Sequence, residues 1–301
     1  MLQIIQKRIY AYWFSGIITL ASIVLILLWG FNFGIDFKGG TLMEVQFSLD
    51  AVPTVSVIGE SLAPIDLKSL TIQPTNERGV LLRYLASDET ANERVLSALQ
   101  ALDPGLVQLR TDFIGASVSS QIKKNAILGI ILSILGIALY IAWAFRRVSG
   151  VVTSWEYGLG AVIALAHDII IVLGLFVILG RYYGVEIGVP FIAALLTILG
   201  YSVNDTIVVY DRVRENLMRS QRKEDFEIIV NRSLNETLGR SINTSMTVII
   251  TLVAIVIFGG ESIRYFGVAL LAGVAFGTYS SIYIASALLV TRYKMKTMNR
   301  G

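Results

Sequence analysis

Along the chain, apolar runs of bilayer length alternate with short charged stretches, and one long stretch of mixed character interrupts them. The first run, residues 15–30, follows Lys7 and Arg8. No small-x-small cleavage site precedes Phe31-Asn32-Phe33, so the run reads as an uncleaved span and not as a signal peptide. Five more runs lie at 125–145, 157–179, 188–210, 242–259 and 264–290, each near the ~20 residues that a bilayer requires. The pattern predicts six membrane-spanning helices with both termini on one side.

Basic residues set the orientation. Lys7 and Arg8, Arg146 and Arg147, the loop at 211–240, and Arg292, Lys294, Lys296 and Arg300 alternate with short loops poor in Lys and Arg. Both termini are therefore expected in the cytoplasm, and the loop at 211–240, with its mixed charges, is expected to be a solvated helical hairpin.

On that topology the long segment 31–122 lies outside, between spans 1 and 2, which leaves 1–30 as the N-terminus with the first span and 123–301 as spans 2 to 6. Within the outer segment, Leu42 to Leu49 alternates with period two and places Met43, Val45, Phe47 and Leu49 on one face, the pattern of a half-buried strand. Val55 to Leu62 predicts a short helix. Leu70 to Gln73 and Val80 to Leu85 predict strands joined by a turn at Pro74 to Gly79, and Ser87 or Asp88 caps a helix whose Val95, Leu99 and Leu102 share a face. Leu106 to Arg110 supplies a last strand. The order β-α-β-β-α-β predicts a ferredoxin-like domain with one covered and one open sheet face.

Composition agrees with the pattern: 54% of residues are hydrophobic, 16% are charged, and the mean hydropathy is +0.68, too apolar for a soluble domain. The formal net charge of +3 comes from basic residues at the ends of apolar runs, so nucleic acid is excluded as a partner. With no Cys and a single His, thiolate sites, disulfides and multi-histidine metal centres are excluded, and no cofactor is expected. Neither an HExxH nor a GxSxG motif is present, and Gly39-Gly40 lacks the end of a phosphate loop. The expectation is a transport component and not an enzyme.

Polar residues inside the spans carry the candidate chemistry. A carboxylate at the centre of a membrane helix costs about 2.5 to 3.5 kcal/mol, so Asp205 is a functional candidate by default. Thr197, Tyr201, Asn204, Asp205 and Arg212 fall in one arc of the fourth span, predicting a polar seam turned toward protein. Arg240 opens a second arc on the fifth span with Asn243, Thr244, Thr247 and Thr251. Asp205 is expected about five residues, or ~7.5 Å, from the cytoplasmic end of its span, where Arg240 enters the next one. Movement of the guanidinium relative to this carboxylate would load or release a proton. His167 and Asp168 lie near the middle of the third span and are secondary relay candidates, as are Asn204 and Thr247. In the sixth span, Ala269, Gly273, Gly277, Ser281 and Ala285 recur every four residues, a packing stripe that fits another helix.

Taken together, FGIDFKGGT after the first span, AHD in the third, GYSVNDTIVVYDRVREN in the fourth, LGRSINTS at the fifth and FGGESIRYFGVALLAGVAFGTYSSIYIA at the sixth resemble the SecF family of bacterial protein-export subunits. The resemblance spans nearly the whole chain. It implies a bacterial cytoplasmic membrane protein related to the proton-driven RND exporters, working with SecD as a complementary six-helix half, with the SecYEG channel and with a translocating polypeptide. It also implies that Asp205 is the proton-pathway carboxylate and Arg240 its functional arginine, with H⁺ or Na⁺ as the coupling ion. Two local departures, at Gly115-Ala116-Ser117-Val118-Ser119 and at Ala287, touch only backbone geometry at helix ends. The same proton chemistry would also suit an RND-type exporter of small molecules or lipids, and the same fold would suit a non-transporting assembly scaffold.

Overall fold

The computed structural model describes residues 1–48, 52–75, 78–85, 89–146, 152–220 and 224–298. In chain order the main elements are α1 (Arg8–Trp29), α2 (Ile35–Lys38), β1 (Gly40–Gln46), α3 (Val55–Leu62), β2 (Lys68–Pro74), β3 (Gly79–Leu85), α4 (Glu89–Leu102), β4 (Val107–Ile114), α5 (Ala116–Ala144), α6 (Ser154–Tyr183), α7 (Val189–Arg219), α8 (Phe226–Phe258), α9 (Glu261–Ser280) and α10 (Ser286–Met298). A π-helical turn, Ser281–Ala285, joins α9 to α10. The chain divides into two compact units: Phe33–Ala126, and Met1–Asn32 together with Ile127–Gly301.

Six helical stretches are long and apolar enough to cross a membrane. Each is longer than its hydrophobic run. The first begins before Ser15, the second begins at Ala116, and α7 and α8 run on through most of the charged loop. The helices persist because amphipathic sequence continues the 3.6-residue period after the hydrophobicity ends. Asp225 caps α8 by accepting a hydrogen bond from the Glu227 N–H, and a Thr153–Glu156 capping box starts α6.

The smaller unit is a four-stranded sheet of order β2-β3-β1-β4 in which every neighbouring pair is antiparallel. Period-two alternation puts Met43 and Val45 of β1, and Phe47 just past its end, on one face with Val80, Leu82 and Tyr84 of β3, and α3 and α4 cover it with Ile58, Leu62, Val95 and Leu99. Leu102 is only half-buried. The opposite sheet face is open, and the edge strand β4 exposes Val107, Leu109 and Phe113. Leu49, Ser87, Asp88, Arg147, Arg300 and part of the turn at 74–79 lie outside the described residues.

The glycine pair ahead of β1 has a steric reason. Gly39 and Gly40 take φ of +74° and +112°, and a Cβ on Gly40 would stand 2.6 Å from the carbonyl oxygen of Tyr84. Only glycine lets the chain enter β1 this close to β3. Inside the core the Tyr84 hydroxyl donates to Asn92 Oδ1 at 2.8 Å, and burial pushes its pKa up to about 12.

In the larger unit α6 packs against α1 and α9, and α7 packs against α8 and α9. The stripe on α9 is an internal contact: a Cβ at Gly273 would lie 2.3 Å from the Ile198 side chain, and one at Gly277 would lie 2.9 Å from Ser202 Cβ, both on α7. The two helices thus approach at glycine distance. α5 by contrast exposes Ile127, Leu128, Ile131, Leu132, Leu135 and Leu139.

Candidate functional site

Asp205 stands near the middle of the 31-residue α7, because the helix continues past Tyr210 to Arg219. The expectation of a depth about five residues from the end of the membrane span is a separate quantity, since the helix runs on past the apolar run. The residue is 4% exposed. The hydroxyls of Ser241 and Ser245 on α8 and of Thr278 on α9 face its carboxylate. Ser245 in turn bonds Thr278 Oγ1 and accepts from the Tyr201 hydroxyl at 3.2 Å. Asp205 Oδ2 and Ser241 Oγ are both buried and make no hydrogen bond among the described residues. The carboxylate is thus held in a cage of hydroxyl groups with acceptor capacity to spare, a setting suited to gaining and losing a proton.

Arg240 is not part of that cage. Its side chain is exposed, and it is not among the groups bearing on the Asp205 carboxylate. The polar seam of the fourth span also divides: Thr197 and Asn204 are exposed, while Asp205 turns inward beside Ser202 and Thr206. Adjacent residues on a helix point about 100° apart, and α8 with α9 covers only the side that carries Asp205. Thr244, Thr247 and Thr251 on α8 are exposed as well, with the Thr247 hydroxyl turned back onto the Thr244 carbonyl at 2.8 Å. Arg212 serves a network between α7 and α8: its Nε donates to Glu236 at 2.6 Å, and Asn216 donates to the same carboxylate at 2.7 Å.

His167 and Asp168 form a second buried centre. Asp168 is fully buried, and its Oδ2 accepts from Ser202 Oγ at 2.7 Å and from Ser280 Oγ at 2.8 Å, tying α6 to α7 and α9. His167 Nδ1 lies 2.9 Å from Asp168 Oδ1, and the imidazole stacks on Tyr279. Beside it, the π-helical turn is fastened to α7. Thr206 Oγ1 and Ser281 Oγ are 2.8 Å apart, Ser281 Oγ donates to the Ser202 carbonyl, and the Tyr210 hydroxyl donates to the Ala285 carbonyl. Sequence reasoning missed Ser202, Ser241, Ser245, Thr278 and Ser280. The available signal was that each lies one or two turns from a candidate residue or within the small-residue stripe.

Two buried carboxylates in hydroxyl cages within a six-helix unit, joined to a small α+β unit, define a membrane transport component. The comparisons make that class specific. Residues 94–295 match the family "Protein export membrane protein SecD/SecF, C-terminal", and residues 30–48 match the "SecD/SecF GG Motif", the segment that contains Gly39 and Gly40. Among curated proteins, a protein translocase subunit SecF from Thermobaculum terrenum is 42% identical over 97% of this chain and 94% of that protein. A SecF from Haemophilus influenzae is 36% identical over 95% of this chain and 84% of its own. A SecDF from Brucella abortus is 36% identical over 91% of this chain but only 35% of that protein. Among solved structures, SecDF from Thermus thermophilus, described as a translocon-associated membrane protein, superposes with a TM-score of 0.82 at 32% identity, over 96% of this chain and 38% of that one. The chain belongs to the SecD/SecF protein-export family, as a multi-pass SecF-type subunit of the protein translocase.

Proposed function

We propose that this SecF-type subunit uses the proton-motive force to drive late steps of protein export, with Asp205 as the residue that takes and releases the proton. The observation that carries the reading is the Asp205 cage: a buried carboxylate at mid-helix, faced by Ser241, Ser245 and Thr278 from two other helices. Such a residue is costly unless it works. A proton crossing ~100 mV releases about 2.3 kcal/mol, enough to bias a modest helix or domain movement.

Arg240 acts as the modulating cation. On an exposed face, with Asn204 and Thr247 also exposed, it approaches the carboxylate in another state of the bundle or across a partner. That partner is a SecD-type half supplying six further helices. Support comes from the SecDF relatives, single proteins in which the matched segment is little more than a third of the length. The assembly works beside the SecYEG channel on the translocating polypeptide, in the bacterial cytoplasmic membrane, with both termini cytoplasmic. The unit 31–122 is a ferredoxin-like domain on the outer side, a reading supported by its antiparallel β2-β3-β1-β4 order. His167, Asp168, Asn204 and Thr247 are secondary stations of the route, and Na⁺ is the alternative coupling ion.

The test is export into membrane vesicles with proton and sodium gradients imposed separately. Correctly inserted Asp205→Asn and Arg240→Met variants should lose at least ten-fold of the gradient-driven export. Wild-type rates from both would overturn the reading.

A further inference from the structure

We propose that His167, oriented by Asp168, is a second proton-accepting site in the chain, separate from Asp205, with Nε2 as the atom that takes the proton. Any part it plays in export rests on the proton-driven reading above, whereas its protonation is measurable directly.

The tautomer follows from the charge on Asp168. An ionised carboxylate only accepts hydrogen bonds, and Asp168 Oδ2 accepts from Ser202 and Ser280. With Asp168 ionised, the 2.9 Å contact of His167 Nδ1 with Oδ1 places the ring hydrogen on Nδ1, donating to Asp168; a proton on Oδ1 would instead donate to Nδ1 and put the ring hydrogen on Nε2, and the experiment below separates the two. The first arrangement leaves Nε2 as a bare lone pair. Nε2 is buried and makes no hydrogen bond among the described residues. A buried imidazole nitrogen without a donor is an open proton acceptor, and the carboxylate on the other ring nitrogen stabilises the imidazolium once it forms. The balance is simple: one proton is added to the Nε2 lone pair, no bond to carbon changes, and a negatively charged dyad becomes a neutral ion pair.

Among the described residues no Lys or Arg bears on the dyad. From α9 the group that faces the ring is Tyr279, with Tyr283 stacked behind it. Tyr279 meets α1 through Ser15 Oγ and the Ala11 carbonyl, neither of them ionisable, and Tyr12 of α1 is engaged with Thr291. From α7 the contact is Ser202; the ionisable groups beside it on that helix are Tyr201, whose hydroxyl is bonded to Ser245, and Asp205, one turn on. Among the described residues, the ionisable side chain that bears on Asp168 is that of His167. The two centres also face different helices. The dyad is bound by α6, α7 and α9, whereas α7, α8 and α9 enclose Asp205. The close α7–α9 contact at Gly277 and Ser202 belongs to the wall between them.

His167 is the only histidine in the chain, so imidazole-¹⁵N labelling yields one pair of ring signals. The full chain, co-assembled with an unlabelled SecD-type partner in phosphatidylcholine–phosphatidylglycerol nanodiscs, is titrated from about pH 9 to about pH 5. The expected result is an Nδ1–H neutral ring at the alkaline end and Nε2 protonation on acidification. In Asp168→Asn the tautomer should become mixed. If that variant fails to insert, the wild-type titration alone decides. A ring that stays neutral throughout, or carries its hydrogen on Nε2 at high pH, overturns the assignment. In vesicles, His167→Asn should change the pH profile of export, and an unchanged profile overturns its part in export. Normal export by both Asp205→Asn and Arg240→Met would sink the proton-driven reading while leaving the titration result standing, so the two failures are distinguishable.

Discussion

Asp205 and Asp168 are both buried in helices, yet their environments prepare them for different work. Asp168 is saturated, with two serine hydroxyls on one oxygen and an imidazole on the other, while Asp205 retains an oxygen that makes no hydrogen bond among the described residues. A saturated carboxylate orients its neighbours, and an unsaturated one can exchange a proton. The smaller unit has its own buried ionisable group in Tyr84. Its proton is retained up to about pH 12, above the ordinary tyrosine value near 10, because burial disfavours the phenolate. Between those values the unfolded chain loses the proton and the folded chain keeps it, so stability falls as pH rises from about 10 toward 12. Thermal melts should show that alkaline loss in the wild type and a smaller loss in Tyr84→Phe.

At the scale of elements, the α7–α9 contact depends on having no side chain at Gly273. Gly273→Ala should cost about 1–3 kcal/mol through overpacking against Ile198, whereas Gly129→Ala, with nothing within 4 Å of the added carbon, should be near neutral. Melting temperatures of the two variants in the same detergent test this contrast. The six spans, the internal strands of the smaller unit and the packing stripe were legible because each writes a period into the sequence. Helix ends were less so, since α7 and α8 continue on amphipathic sequence that hydropathy alone reads as loop. The π-helical turn at Ser281–Ala285 was not legible at all. It depends on hydroxyl and carbonyl contacts with Ser202, Thr206 and Tyr210, which lie more than seventy residues away in the chain. The same limit applies to the site: periodicity found Asp205, His167 and Asp168, but placed Asn204 and Asp205 in one seam because it could not say which side the neighbouring helices cover.

For the whole molecule, the exposed polar residues of α7 and α8 are the surface to probe for a partner. A polar strip that includes Thr197, Asn204, Thr244 and Thr247 is unfavourable against acyl chains. The chain has no cysteine, so single introduced thiols report cleanly. Asn204→Cys and Thr247→Cys should cross-link to a SecD-type partner carrying matching cysteines, while Val274→Cys, buried in α9, should not. Equal cross-linking at all three positions would remove the strip as an interface. The unbroken length of α7 has a mechanical consequence. At 1.5 Å per residue its 31 residues form a rod about 46 Å long, with Asp205 near the fulcrum and Arg219 about 21 Å beyond it. Under the proposed protonation of Asp205, a tilt of about 5° there would displace that far end by about 2 Å, so a sub-ångström change in the hydroxyl cage would become a side-chain-sized stroke at the C-terminal end of α7.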